Sequence, residues 1–250
     1  MKKRCSVALI CFLISQAVIS QPALSGLEIG IYAGASIYQG DLTPSIFGSY
    51  KTVRTAAGVF GNIIISPAFS LRPNFAFGKL EGDDSKYNDR EWRQQRNFKF
   101  KSSFKEYSAL LVWDVFSRNF DELREGFSPY LFGGIGYTSL KGHRNYSNFN
   151  QQYFSAEPKV IAGLNRDIAE PNLTGMLVVP VGVGARYSVS PVVSVIAEAT
   201  YRLSGSDYLD GFSMAADTKQ KDRYYTASIG LIFNPGKRSG EGIKCPVFKN

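Results

Sequence analysis

The stretch Met176-Leu177-Val178-Val179-Pro180-Val181-Gly182-Val183-Gly184-Ala185-Arg186-Tyr187-Ser188, with its continuation to Leu203, reads as one long β-hairpin. Leu177, Val179, Val181, Val183, Ala185 and Tyr187 share one face of the first arm. After a turn at 188–191, Val193, Val195, Ala197, Ala199, Tyr201 and Leu203 share one face of the second. The opposite faces are small or polar, with Gly182, Gly184, Arg186, Glu198, Thr200 and Arg202. Side chains alternate across a strand, so the hairpin is apolar along one whole side. Strands of soluble proteins commonly run about five or six residues. Twelve alternating residues rise roughly 40 Å, enough to cross a hydrocarbon layer at a tilt of about 40–45°. The hairpin predicts an outer-membrane antiparallel β-barrel.

The same alternation recurs along the chain. Leu27 to Tyr38 forms a first strand with Leu27, Ile29, Ile31, Ala33, Ala35 and Ile37 outward. Small residues on its other face suit a narrow barrel. A second strand over about 56–65 shows no decisive parity, because Ile63, Ile64 and Ile65 are consecutive. The third places Phe69, Leu71, Phe75 and Phe77 outward, the fourth Tyr107, Ala109, Leu111, Trp113 and Val115, and the fifth Leu131, Gly133, Ile135 and Tyr137. The opening hairpin supplies strands six and seven. Tyr225, Ala227, Ile229, Leu231 and Phe233 mark the eighth. Eight is an even number, as single-chain bacterial barrels require. Connections at 66–68, 118–128 and 188–191 are short or moderate and the other four are long, which places the short turns and both termini in the periplasm and the long loops outside. The segments 82–102 and 142–174 read as surface loops. Pro73 and Pro180 each remove a ladder donor, which predicts a bulge or irregular pairing.

Bulk properties agree. The 250 residues are 44% hydrophobic and 14% aromatic, too apolar for disorder. No run reaches the roughly 18–20 apolar residues of a membrane helix, so spanning requires a barrel. Residues 1–20 read as a signal peptide: Lys2, Lys3 and Arg4 precede an apolar core, and Val18 and Ser20 precede a cleavage at Gln21. The expected organisation is therefore a signal peptide at 1–20, a barrel at 21–234 and a periplasmic tail at 235–250. Losing the three leader cations lowers the formal charge from +8 to +5. That excess is spread through loops and forms no nucleic-acid-binding stripe. Cys5 and Cys11 leave with the leader, so Cys245 has no partner within the mature chain. It is either a free thiol or the site of an intermolecular disulfide.

By parity Glu28, Arg72, Glu106, Asp114, Arg186, Glu198 and Arg202 point inward, where paired charges plug an eight-stranded lumen. A narrow ion path is the alternative. Tyr38, Trp113, Tyr137, Tyr187, Tyr201, Tyr225 and Phe233 fit aromatic girdles at the two interfaces. His143 is the single histidine, so no triad, dyad or His/Cys metal cluster is expected, and the chain reads as non-enzymatic with no cofactor. Asp207 and Asp210 beside Gly211 lack the EF-hand spacing and read as carboxylates that bond loop N–H groups.

Several stretches carry more than barrel periodicity: Tyr38-Gln39-Gly40-Asp41-Leu42-Thr43-Pro44, Arg96-Asn97-Phe98-Lys99-Phe100-Lys101-Ser102, Pro129-Tyr130-Leu131-Phe132-Gly133-Gly134-Ile135-Gly136-Tyr137, and Ser206-Asp207-Tyr208-Leu209-Asp210-Gly211-Phe212-Ser213. Together they resemble the small outer-membrane barrels of Bacteroidetes that include PorG of the type IX secretion system. The segment 142–174 departs from the pattern of that family. The resemblance implies an outer-membrane anchor for a periplasmic ring built from a lipoprotein and its partner. On that view the contacts are the short turns and the tail, with Lys237, Arg238, Lys244 and Cys245 as the expected partner-binding residues. A stand-alone porin-like or adhesion barrel working through its outer loops is the alternative.

Overall fold

The computed structural model describes residues 26–45, 47–119, 126–205, 209–215 and 222–236. The expected leader at 1–20 and the tail residues Lys237, Arg238, Lys244 and Cys245 lie outside the described residues, as does Asp207. Eight strands run up and down around a closed antiparallel barrel: β1 (Leu27–Gln39), β2 (Arg54–Ile64), β3 (Phe69–Asp83), β4 (Lys99–Asp114), β5 (Gly126–Asn145), β6 (Gly175–Ser188), β7 (Val193–Ser204) and β8 (Arg223–Phe233). β8 pairs back onto β1 along eleven residues of each, from Ile29–Phe233 to Gln39–Arg223, so no edge is left open. A row of partners can be followed once round the wall: Leu27, Ile63, Leu71, Leu111, Gly133, Val181, Tyr201, Tyr225 and then Ile37. The circuit returns to β1 ten residues beyond its start. With about 3.3 Å per residue and about 4.8 Å between strands, that stagger tilts the strands by about 40° and gives a backbone cylinder roughly 16 Å across. Because the stagger is even, odd residues face out all the way round.

Burial follows that rule. β4 alternates strictly along its 16 residues. β2, indecisive as a sequence, obeys it too: Ala56, Gly58, Phe60 and Asn62 are buried while Thr55, Val59 and Ile63 are exposed. Its three consecutive isoleucines coincide with the turn end, where the strand stops at Ile64. The outer wall is apolar, with Leu177 77%, Ile135 72% and Ile229 68% exposed, a surface that water would not tolerate and a bilayer covers. Large inward rings are accommodated by glycine on the neighbouring strand. Tyr32 lies opposite Gly58, and Tyr130 opposite Gly184; a Cβ at either glycine would collide with the ring.

Pro73 and Pro180 give the irregular pairing expected of them and no bulge, while two other expectations need correction. The β2–β3 ladder skips two pairs at Pro73 and the β5–β6 ladder skips two at Pro180, and each resumes in the same register. Both prolines keep pairing on their other side, Pro73 with Ala109 and Pro180 with Arg202, so only one ladder is interrupted at each. The segment 82–102 is mostly structured: β3 continues to Asp83, a helix α1 (Glu91–Arg96) follows, and β4 begins at Lys99. The segment 142–174 likewise contains the end of β5 and a helix α2 (Pro158–Ala169). These walls project past the apolar band, where the outer face turns polar while Leu80, Phe100, Phe104 and Leu140 stay buried inside, so the apolar-outward alternation lapses.

An arginine placed in the middle of the apolar band should be the costliest outward change. For Ile135→Arg the expected loss is about 2–4 kcal/mol in urea titrations of the protein folded into lipid vesicles. A loss below about 1 kcal/mol would show that this face does not meet hydrocarbon.

Candidate functional site

The lumen holds two polar networks. In the first, Arg186 donates from Nη1 and Nη2 to the two oxygens of Glu28 (2.9 and 2.5 Å). Asn62 Nδ2 also donates to Glu28 (2.9 Å), and Arg72 Nε donates to Asn62 Oδ1 (2.8 Å). Arg72 Nη1 reaches Glu198 Oε1 at 2.5 Å, and the Tyr130 hydroxyl donates to the same oxygen at 2.6 Å. The Arg72 guanidinium also lies 4.2 Å from the centre of the Phe60 ring. In the second network Arg202 donates to Glu106 Oε2 (2.6 Å) and Thr226 Oγ1 (2.8 Å), while Tyr224 donates to that Glu106 oxygen (3.0 Å). Asn74 Nδ2 to Ser108 (3.1 Å) and the Tyr32 hydroxyl to Asn74 (3.1 Å) extend it across the barrel.

Three guanidinium–carboxylate pairs thus cross the lumen: Arg72–Glu198, Arg186–Glu28 and Arg202–Glu106. All six side chains are nearly excluded from solvent. Asp114 belongs elsewhere. It is the last residue of β4, where the hydroxyl of Ser128 donates to both its oxygens and the N–H groups of Phe116 and Arg118 donate to Oδ1. A carboxylate at a strand end satisfies its turn, and its depth removes it from the central plug.

Above the plug, at the long-loop end, the loops close into a packed cap. Arg96 donates from Nε and Nη2 to both oxygens of Asp84 (2.7 and 3.1 Å) and from Nη2 to the carbonyl of Asp41 (3.1 Å). Phe98 stacks on Phe212 with ring centres 4.3 Å apart, and Phe149 packs against Phe98. From α2, Asp167 accepts the N–H groups of Met214 and Ala215 (3.0 and 2.8 Å). The Tyr38 hydroxyl donates to either of two buried carboxylates, Asp210 (2.7 Å) and Asp222 (2.5 Å). Asp210 Oδ1 accepts the N–H of Phe212 (2.8 Å), and Asp222 Oδ2 that of Leu209 (2.9 Å). Tyr38 is therefore a correction: it is fully buried under the cap, not part of an outer girdle. Its even number on β1 already carried that signal.

Burial holds the Asp210 carboxyl well above the usual carboxylate range, and the neighbouring Asp222 adds to the effect. Burial also raises Asp84, against the pull of Arg96. One cation in the cap is incompletely satisfied. Arg93 is buried and donates from Nη2 to the Thr43 carbonyl (3.3 Å); its Nε lies 3.9 Å from Asp89 and its guanidinium faces the Tyr87 and Trp92 rings, but Nε and Nη1 make no hydrogen bond. It borders an open pocket of about 590 Å³ with Asp41, Arg90, Trp92, Tyr153 and Glu157. His143 stands on the outer face of β5 beside Lys101.

Three of the four stretches singled out in the sequence meet in this cap, through Tyr38 with Asp210, Arg96 with the Asp41 carbonyl, and Phe98 with Phe212. The fourth forms β5 and supplies Tyr130 to the plug. Tyr130, Asp84, Arg93 and Arg96 were not singled out individually; even parity marks Tyr130, while the loop residues carry no periodic signal.

A family model described as "Domain of unknown function (DUF6089)" matches residues 3–228. No curated protein matches the sequence. Among solved structures, the chain is similar to Ail, the attachment invasion locus protein of Yersinia pestis, at 10% identity and a TM-score of 0.42, covering 83% of this chain and 96% of that one. It is similar to Neisserial surface protein A at 14% identity and 0.44, covering 84% and 97%. The outer membrane protein OprG of Pseudomonas aeruginosa gives 11% identity and 0.43, covering 84% and 97%. Likeness this distant says nothing about activity.

Removing one member of a buried pair should cost more than removing both. Glu198→Ala is expected to lose about 3–5 kcal/mol, and Glu198→Leu with Arg72→Met clearly less, by urea midpoints in detergent. A double variant losing the sum of two single truncations would contradict the pairing.

Asp210 adds a pH dependence. A carboxyl whose pKa is higher folded than unfolded takes up protons on folding, so its stability contribution is complete below the unfolded value and is lost as pH rises through the folded one. The urea midpoint should therefore fall as pH rises from about 4 towards the raised value, and Asp210→Asn should flatten that decline. An unchanged slope in Asp210→Asn would assign the effect elsewhere.

Proposed function

This chain belongs to the DUF6089 family, and from that premise we propose that it is a non-enzymatic outer-membrane barrel that anchors a periplasmic secretion assembly of the type IX class. The carrying observation is the combination of an apolar outer wall with a lumen crossed by three matched ion pairs. Such a barrel is built to stay in a bilayer and stay closed, which suits an anchor better than a pore. The signal peptide at 1–20 delivers it, and the short turns with the tail at 235–250 face the periplasm. The secretion role draws its support from the resemblance of residues 38–44, 96–102, 129–137 and 206–213 to barrels of that system. Lys237, Arg238 and Lys244 make the tail's sequence basic, and Cys245 offers a thiol for a mixed disulfide with a ring component.

A second reading, a barrel that binds ligands through its outer loops, is favoured by Arg93, whose buried Nε and Nη1 make no hydrogen bond beside an open pocket.

One experiment separates the two. The full-length protein is captured from detergent-solubilised outer membranes under non-reducing conditions, as wild type, Cys245→Ser and Arg93→Gln. The anchor reading expects a periplasmic lipoprotein among the captured proteins in all three, with a disulfide-linked band absent from Cys245→Ser. Unchanged migration of Cys245→Ser removes the disulfide. A captured partner located on the cell surface and lost in Arg93→Gln supports the second reading, and recovery of the processed protein from the aqueous fraction without detergent overturns both.

A further inference from the structure

On the outer wall of β3, β4 and β5, paired residues rise in rows from the apolar band to the loops. The row Phe75–Tyr107–Tyr137 is aromatic. Directly above it lie Phe77–Lys105–Ser139, then Lys79–Ser103–Lys141, then Lys101 beside His143. All of these lysines are exposed. The acids at this level are engaged elsewhere. Glu81 is buried and accepts from Arg54 and from Lys86 (2.8 Å), while Asp83 lies 3.6 Å from Lys99. The rest of the circumference is different: at its loop-ward outward positions stand Ala35, Thr55, Leu177, Leu203 and Tyr225, with Arg223 the one cation at an outward position of those described strands, while Arg54 at the head of β2 is paired with Glu81. Lysines that merely snorkel from a bilayer would ring the barrel. These four occupy one sector.

Beside them the wall is hollowed. Ala33, Ala57, Thr55 and Ser103 are small where their neighbours Phe75 and Phe77 are large, leaving an apolar groove of about 740 Å³ that Lys79, Lys105 and Lys141 border. Its loop-ward continuation is a more polar hollow of about 640 Å³ edged by Lys79, Lys101 and Arg54, with Glu81 also in its wall and held by Arg54 and Lys86. An elongated greasy channel ending where cations outnumber acids among the described residues matches a molecule with acyl chains and an anionic head at the interface.

We propose that this sector is a binding site for a phosphate-bearing glycolipid of the outer leaflet, with acyl chain in the groove and phosphates on Lys79, Lys101, Lys105 and Lys141. The site rests on the outer-membrane orientation proposed above, since only then do these lysines stand at the outer headgroups. Ammonium groups on flexible stems suit a diffuse phosphate better than a fixed planar acid.

The test uses the full-length protein folded into nanodiscs containing bisphosphorylated lipid A, dephosphorylated lipid A, or phosphatidylcholine alone, with retained lipid counted by native mass spectrometry. The variant carries Lys79→Gln, Lys101→Gln, Lys105→Gln and Lys141→Gln, surface changes that leave the ladders intact; heat-modifiable gel mobility confirms that it folds. The wild type should retain bisphosphorylated lipid A at least about tenfold better than the dephosphorylated form, and the variant should lose that preference. Loss of the preference on adding inorganic phosphate alone would assign the lysines to free phosphate and overturn the lipid site. Equal retention of both lipids, or an unaltered preference in the variant, overturns it too. Failure of the wild type to enter any nanodisc would instead overturn the membrane reading beneath it.

Discussion

In hydrocarbon a backbone N–H or C=O has no water to turn to, and the fold is organised by that fact. Eight strands answer it by closing on themselves, with β8 returned to β1 over its whole length. Closure with a stagger of ten then determines much else: a tilt near 40°, a cylinder too narrow for an aqueous channel, and odd residues outward on every strand. Even the two in-strand prolines obey it. Each gives up part of one ladder and none of the register.

A narrow lumen must be filled, and here rings and aliphatic side chains such as Phe60, Phe104, Phe132 and Ile196 pack around three ion pairs. Buried ions are costly to desolvate, so the arrangement stands only because each carboxylate receives several donors: Glu28 from Arg186 and Asn62, Glu198 from Arg72 and Tyr130, Glu106 from Arg202 and Tyr224. Apolar residues would fill the same space more cheaply. Charged pairs instead oppose a register slip, since moving a strand by one residue would deliver its charge to lipid and strand the partner inside. The cap repeats the logic outside the bilayer, with Asp84 on Arg96 and Tyr38 between two carboxylates.

What was legible in the sequence was whatever the twofold period governs. Arg72, Glu106, Arg186, Glu198, Arg202 and Glu28 could be assigned to the interior because one face of each strand had to be greasy. The partners among them could not, since pairing across a lumen depends on the stagger, which no single strand encodes. Past the membrane the outer face turns polar, so the upper ends of β3 and β5 looked like loop. α2 did leave a trace, a proline at its start and Ile161, Leu164 and Ile168 at helical spacing. Tyr38 lies at a strand end, where a girdle is expected, but its even number turns it inward under the cap. The stretches 38–44, 96–102 and 206–213 drew notice as segments, and only the folded cap shows that they touch one another.

The central claim is that alternate residues of one strand look into lipid and into a filled core. Spin labels placed singly from Ala109 to Trp113 on β4, in protein folded into vesicles, measure it directly through collisions with oxygen dissolved in the bilayer. High accessibility at 109, 111 and 113 with low accessibility at 110 and 112 is the predicted pattern. Uniformly low oxygen accessibility, or collisions with a water-soluble relaxer at the odd positions, would contradict it.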